Sequence, residues 1–184
     1  MAFGGWQSNV LDVKSGTMAG RFLPTLGCNA RAVFSPDGTL VATSDPRLYR
    51  TSDWSAVWSA SDASADPFAP VAPTEFTNEF YDDIQFRPNA QELLVSRSGD
   101  EGSEHALYSL ADGTLIRHLP ELQSMRAKIS PEGNWVVSGT TILHLPDGEQ
   151  RVFDAQSVLA TFAPNGDIVA LLADNSLARY CRTN

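Results

Sequence analysis

Three histidines, His105, His118 and His144, are the residues best suited to acid–base or metal chemistry, and they fall far apart in the chain. A catalytic centre needs a base, a nucleophile and an orienting group that converge. Serine and aspartate are abundant here, so no Ser-His-Asp spacing stands out, and no Gly-x-Ser-x-Gly occurs. The two cysteines, Cys28 and Cys181, form no Cys-x-x-Cys pair, so no zinc site is expected. Reduced thiols suit a cytoplasmic chain, although a disulfide joining the two ends stays open. The acidic, Gly-rich stretch Ser98–His105 lacks the alternating Asp/Asn ladder and closing Glu of a calcium loop. It reads as a solvated hairpin loop. These observations predict no catalytic residue, no metal and no cofactor.

The residues that could recognise a partner are of another kind. Trp54 and Trp58 lie four apart in "DWSAVW", on one strand and hence on one face. Such a pair either packs between neighbouring sheets or forms a sugar-stacking platform or a hot spot for a partner. The stretch "SDASADPFAPVAPTEFTNEF", 61–80, holds three prolines and four acids, with Phe68, Pro70, Phe76 and Phe80 among them. Proline-rich backbone with spaced aromatics suits docking into a groove or covering a cavity mouth. This insertion is the first expected partner-binding segment. The loop carrying Asp100 and Glu101, at Asp100–Glu104, is the second.

These residues sit on a repeated frame. "RAVFSPDGTLVAT" (31–43), "DIQFRPNAQELLVS" (83–96), "RAKISPEGNWVVS" (126–138) and "LATFAPNGDIVAL" (159–171) each join two apolar stretches through a proline turn. Period-two alternation marks a strand with one buried face. Proline presets φ near −65° and a following glycine accepts positive φ, so each copy opens with a hairpin. A second strand pair follows, as in "HALYSLADGTLIRHLP" and "TILHLPDGEQRVFD". The unit is four antiparallel strands of about 40 residues, and the insertion accounts for the long interval between Pro36 and Pro88.

This pattern resembles the WD40-type β-propeller. Phe34–Thr43 is similar to that family's hairpin between first and second strands, and Ile129–Gly139 nearly as much so. Leu11–Phe22 resembles its third-to-fourth strand corner, with Leu11-Asp12 where the family writes Trp-Asp. No Gly-His pair and no full Trp-Asp occur, which places the likeness with the broader WD40-like group. The resemblance implies an all-β propeller of about four four-stranded blades. It would be one domain over 1–184, with a strand pair at 8–23, blades near 30–60, 81–120, 125–154 and 158–182, and the insertion at 61–80. It also implies a non-catalytic protein-interaction scaffold. The alternative is a propeller enzyme or small-ligand binder, lactonase-like or quinone-dehydrogenase-like, working through a central channel.

Three closures stay open. The strand near Thr17–Leu23 could complete the blade begun at Val158, giving a four-bladed ring. A second copy or a different half could complete a larger ring. The chain could also be an arc packed on a larger partner, or part of a longer chain. The formal charge of −9 argues against nucleic acid and anionic membranes as partners. No apolar stretch approaches the roughly 20 residues that cross a bilayer. "MAFGGWQSNVLDV" has neither the basic nor the apolar region of a secretory signal.

Overall fold

The computed structural model describes residues 8–22, 32–43, 47–59, 80–88, 91–99, 102–124, 126–152 and 157–181. Among them every regular element is a β-strand. A two-stranded hairpin leads, formed by β1 (Ser8–Leu11) and β2 (Met18–Phe22). Three four-stranded antiparallel sheets follow. The first holds β3 (Ala32–Phe34), β4 (Leu40–Thr43), β5 (Arg47–Arg50) and β6 (Ala56–Ser59). The second holds β7 (Phe80–Phe86), β8 (Glu92–Gly99), β9 (Gly102–Ser109) and β10 (Leu115–His118). The third holds β11 (Ala127–Ile129), β12 (Trp135–Ser138), β13 (Thr141–His144) and β14 (Gln150–Val152). A three-stranded sheet ends the series, with β15 (Ser157–Phe162), β16 (Ile168–Leu172) and β17 (Leu177–Tyr180). Within each sheet neighbours in sequence are neighbours in space.

The sheets stack face to face, and the middle strands show why. Successive side chains in a strand point to opposite faces, so a strand buried on both faces reads as an unbroken apolar run. In β4, Val41 joins Tyr49 in a cluster toward the leading hairpin, while Ala42 joins Leu48 and Trp58 toward the second sheet. In β8, Leu93 and Val95 face back to the first sheet and Leu94 faces forward with Leu107. In β12, Val136 faces back and Val137 faces forward. The hydrogen-bonded partners obey the same division, with Leu94 opposite Leu107 and Val137 opposite Ile142. The first strands meet one another in order, β3 with β7, β7 with β11 and β11 with β15. They therefore line an axis, and the sheets fan out around it as blades.

The last sheet keeps this division although its hairpin is one residue shorter. Phe162 pairs with Ile168, whereas Ile129 pairs with Val136. Ile168 and Ala170 consequently turn back toward Val137.

The proline turns are closed by their own polar groups. The amide N–H of Gly38, Gly133 and Gly166 donates to the carbonyl of Ser35, Ser130 and Ala163 at 2.9 Å in each case, and all three glycines have positive φ. The Ser35 hydroxyl donates to Asp37 Oδ1 at 2.6 Å and accepts from the Leu40 N–H at 2.9 Å. The Ser35 hydroxyl, with the Thr39 N–H and hydroxyl, holds the Asp37 carboxyl at about 2. Turn N–H and hydroxyl donors likewise lower Asp12, Asp53, Asp112, Asp147 and Asp174.

Two sequence expectations are corrected. Trp54 and Trp58 do not share a face. Trp54 precedes β6 in a turn at φ 60° and packs against Val41, Tyr49 and Val10, toward the leading hairpin. A Cβ at Gly20 would lie 2.1 Å from Trp54 Cε2, so the hairpin can approach only because position 20 is glycine. Trp58 is buried on the opposite face, and its indole N–H donates to the Leu110 carbonyl at 3.1 Å. The second correction concerns Ser98–His105, which is mostly ladder and not loop. Ser98 pairs with Ser103 and Gly99 with Gly102, so the extended strands leave only Asp100 and Glu101 between them.

Removing the Leu94 side chain, fully buried between the second and third sheets, is expected to cost about 2–5 kcal/mol. Urea unfolding of Leu94→Ala against the parent measures it. Acid should also destabilise the fold. A carboxyl whose folded pKa is depressed stabilises fully above its ordinary value near about 4 and loses that contribution as pH falls through the folded value. Melting temperature is expected to drop steeply between pH 4 and pH 2, and to drop less in Asp37→Asn. Thermal melts at each pH check this.

Candidate axial groove

Where the first strands reach their proline turns, a cavity of about 490 Å³ opens on the axis. Every blade contributes the same short pattern to it: Phe34 and Pro36, Phe86 and Pro88, Ile129 and Pro131, Phe162 and Pro164. The repetition is a consequence of the hairpin. The last residue of each first strand points inward, and the turn proline follows two residues later. Val33 and Ile84 extend the apolar wall, and Gln85 and Ser130 are its polar members. Phe34 is 53% exposed although it is a large aromatic.

Polar contacts make the wall rigid. Gln85 bridges two blades: its Nε2 donates to the Ala127 carbonyl at 2.6 Å, and its Oε1 accepts from the Ile129 N–H at 3.2 Å. Gln85 Nε2 also donates to Asp83 Oδ2 at 3.2 Å, and Asp83 forms an ion pair with Lys128. At the rim, Arg87 Nε donates to the Gly133 carbonyl at 2.6 Å while its Nη1 holds Glu92 Oε2 at 2.6 Å. The Pro88 carbonyl sits where a Cβ at position 133 would be, 2.4 Å away, so adjacent turns touch only through glycine. Such a wall offers apolar burial in a fixed shape, with its hydrogen-bonding groups largely engaged.

The histidines are dispersed. His105 is buried in β9, with Nδ1 2.9 Å from Ser96 Oγ and Nε2 2.8 Å from the Ser124 carbonyl. A carbonyl only accepts, so Nε2 carries the proton there. His144 Nδ1 lies 2.7 Å from Asp147 Oδ1 in a turn, beneath the Trp135 ring at 4.3 Å between centroids. His118 is exposed in β10. Among the described residues no three His, Cys, Asp or Glu side chains gather as a metal site would require.

Of the expected partner residues, Trp54 and Trp58 are engaged in packing between sheets. Phe68, Pro70, Phe76, Asp100 and Glu101 lie outside the described residues, as does the side chain of Phe80. The segment 60–79 joins the end of β6 to the start of β7, whereas the groove lies at the far end of β7. The groove itself was not among the sequence-derived candidates. Its signal was the residue two positions before each aligned proline: Phe34, Phe86, Ile129 and Phe162.

No protein-family model matches the chain, and no curated protein matches it. Among solved structures it is similar to the WD40 β-propeller domain of Doa1, at 14% sequence identity and a TM-score of 0.58. The match covers 92% of this chain and 56% of that one, so the chain spans a little over half of that propeller. The fold is a WD40-like β-propeller in partial form, with about four blades and an unclosed ring.

Replacing Gln85 with leucine strips the Ala127 carbonyl and Ile129 N–H of their bridge and should cost about 1–3 kcal/mol. Gln85→Glu should keep the Ile129 contact but set a carboxylate against the Ala127 carbonyl, and so should also destabilise. Paired denaturation curves test both.

Proposed function

We propose that the chain is a non-catalytic interaction scaffold that docks an apolar segment of another protein into the axial groove. The observation that carries this is the fourfold apolar lining, repeated blade by blade around one cavity and topped by a half-exposed Phe34. Exposed apolar surface of this kind marks binding sites, and a preformed frame lowers the entropic cost of binding. The mechanism is rigid display. Stacked sheets hold the wall still, and the guest segment supplies the missing apolar neighbours. The insertion with Phe68, Pro70, Phe76 and Phe80, and the turn with Asp100 and Glu101, are proposed as further partner-binding segments. The cellular setting proposed is the cytoplasm.

A cavity of about 490 Å³ also falls within the size range of small-molecule sites. This favours a second reading, a binder of a compact apolar ligand.

Peptides selected from a random library against the chain should be rich in aromatic and aliphatic residues. Their affinity should fall at least tenfold in Phe34→Asp, as measured by calorimetry. Peptides unaffected by Phe34→Asp would remove the groove as the docking site. Displacement of an apolar fluorescent probe, with no peptide selected at all, would favour the small-ligand reading.

A further inference from the structure

The side of the molecule on which the groove opens carries an unbalanced charge. In each of the first three sheets the turn between third and fourth strands is hydrogen-bonded to the proline turn. The Thr51 N–H donates to the Thr39 carbonyl at 2.9 Å, the Leu110 N–H to the Gln91 carbonyl at 2.9 Å and the Leu145 N–H to the Asn134 carbonyl at 2.8 Å. Both kinds of turn therefore lie beside the groove mouth. The second kind repeats an aspartate as the first repeats a proline. Asp53, Asp112 and Asp147 hold equivalent positions, and all three are exposed. The N–H of the next residue closes each turn: Trp54 onto Arg50, Gly113 onto Ser109 and Gly148 onto His144. Nearer the axis, Asp37 and Glu132 directly follow Pro36 and Pro131, two residues of the wall.

These carboxylates are fixed in place without being neutralised. Asp53 Oδ1 accepts from the Ser55 N–H at 2.9 Å and its hydroxyl at 2.7 Å. Asp112 Oδ1 accepts from the Thr114 N–H at 3.1 Å and its hydroxyl at 2.9 Å. Asp37 Oδ1 is held by Thr39 in the same way. The donors are uncharged, so they favour the ionised form and leave its charge outward. Among the described residues Asp37, Asp53 and Asp112 form no ion pair. The arginines on this side are occupied: Arg87 with Glu92, Arg117 with Glu121 and Arg151 with Glu149. Arg50 beside Asp53, and Lys14 beside Asp12 in the leading hairpin, still leave the acids in excess.

An apolar wall ringed by fixed negative charge selects among apolar guests. The wall gains from burying an aromatic or aliphatic side chain against Phe34 and the prolines, whatever flanks that side chain. The turns act on the flanks. Screening reaches about 10 Å at 0.1 M salt, so Asp37 and Glu132, next to the wall, act on residues just outside the groove. Complementary charge there raises the association rate and the preference for one partner, and like charge rejects the other. We propose that the groove takes a segment of a partner protein in which an aromatic or aliphatic anchor is flanked on both sides by lysine or arginine. This rests on the groove being the docking site, as proposed above, and adds the chemistry of its guest.

Three synthetic peptides that share a Leu-Phe-Leu core test this. Their flanks are two lysines, two serines or two glutamates on each side. Calorimetry should find the lysine peptide about tenfold tighter than the serine peptide at about 50 mM salt, and the glutamate peptide weakest. That margin should largely vanish at about 500 mM salt. Asp37→Asn combined with Asp112→Asn should cut the margin about threefold and leave the serine peptide unchanged. Asparagine keeps the Oδ1 acceptor of each turn, so far-UV circular dichroism should not change. If that variant misfolds, Glu132→Gln, in a separate turn, carries the same expectation. Phe34→Ser, which adds no charge, should weaken the lysine and serine peptides alike. Equal binding of the lysine and serine peptides, both weakened by Phe34→Ser, would overturn the cationic guest and keep the groove. So would a margin that survives high salt or the aspartate substitutions. Lysine-peptide binding indifferent to Phe34→Ser, or no binding of any peptide, would overturn the guest and the groove together.

Discussion

Burial of both faces of each sheet is the constraint from which the rest of this structure follows. A single four-stranded sheet with apolar side chains on both sides cannot stand in water. At about 25 cal/mol per Å² of apolar surface removed from water, a neighbour on each side is the largest favourable term available to it. Val41 and Ala42, Leu93 and Leu94, and Val136 and Val137 are adjacent residues that serve opposite neighbours. The stack is therefore close to one-dimensional, with each sheet depending on the two beside it. It also makes the two ends special, because there the rule has been applied on one side only.

Radial order concentrates the chemistry at the axis. Strands β3, β7, β11 and β15 bring equivalent residues together, so any side chain in the repeated first strand is presented several times to one space. Here that side chain is Phe or Ile with proline two positions on. The result is an apolar groove and not a ring of acids, bases or ligands. The ionic contacts at the axis, Asp83 with Lys128 and Arg87 with Glu92, join groups that already satisfy each other. They are better understood as positioning than as reactive. Gln85 has the same character: its amide replaces backbone pairing between two strands that belong to different sheets.

Much of the frame was legible in the chain. The proline turns declare themselves because Ser-Pro-Asp-Gly and its relatives close on their own side chains, within a few residues. Alternation in the flanking strands is equally local. The tryptophans show where such reading stops. Spacing of four on a strand predicts one face, but a single positive φ at Trp54 lifts it out of the strand and sends the two indoles to opposite sides. The acidic stretch around Asp100 failed in the other direction. Its composition suggests a loop, yet pairing with the facing strand carries the ladder to Gly99 and Gly102.

The sequence by itself determined the repeating hairpins, their order and the all-β class, because turn chemistry and period-two burial act over short distances. The tertiary structure decided which apolar residues are covered and which are left bare. Leu94 and Leu177 look alike in sequence, but one lies between two sheets and the other at the end of the stack. The tertiary structure also decided that four separated aromatic and aliphatic residues meet in one groove, since convergence depends on the angle between blades. That angle is set by packing between whole sheets and has no local signature in the chain.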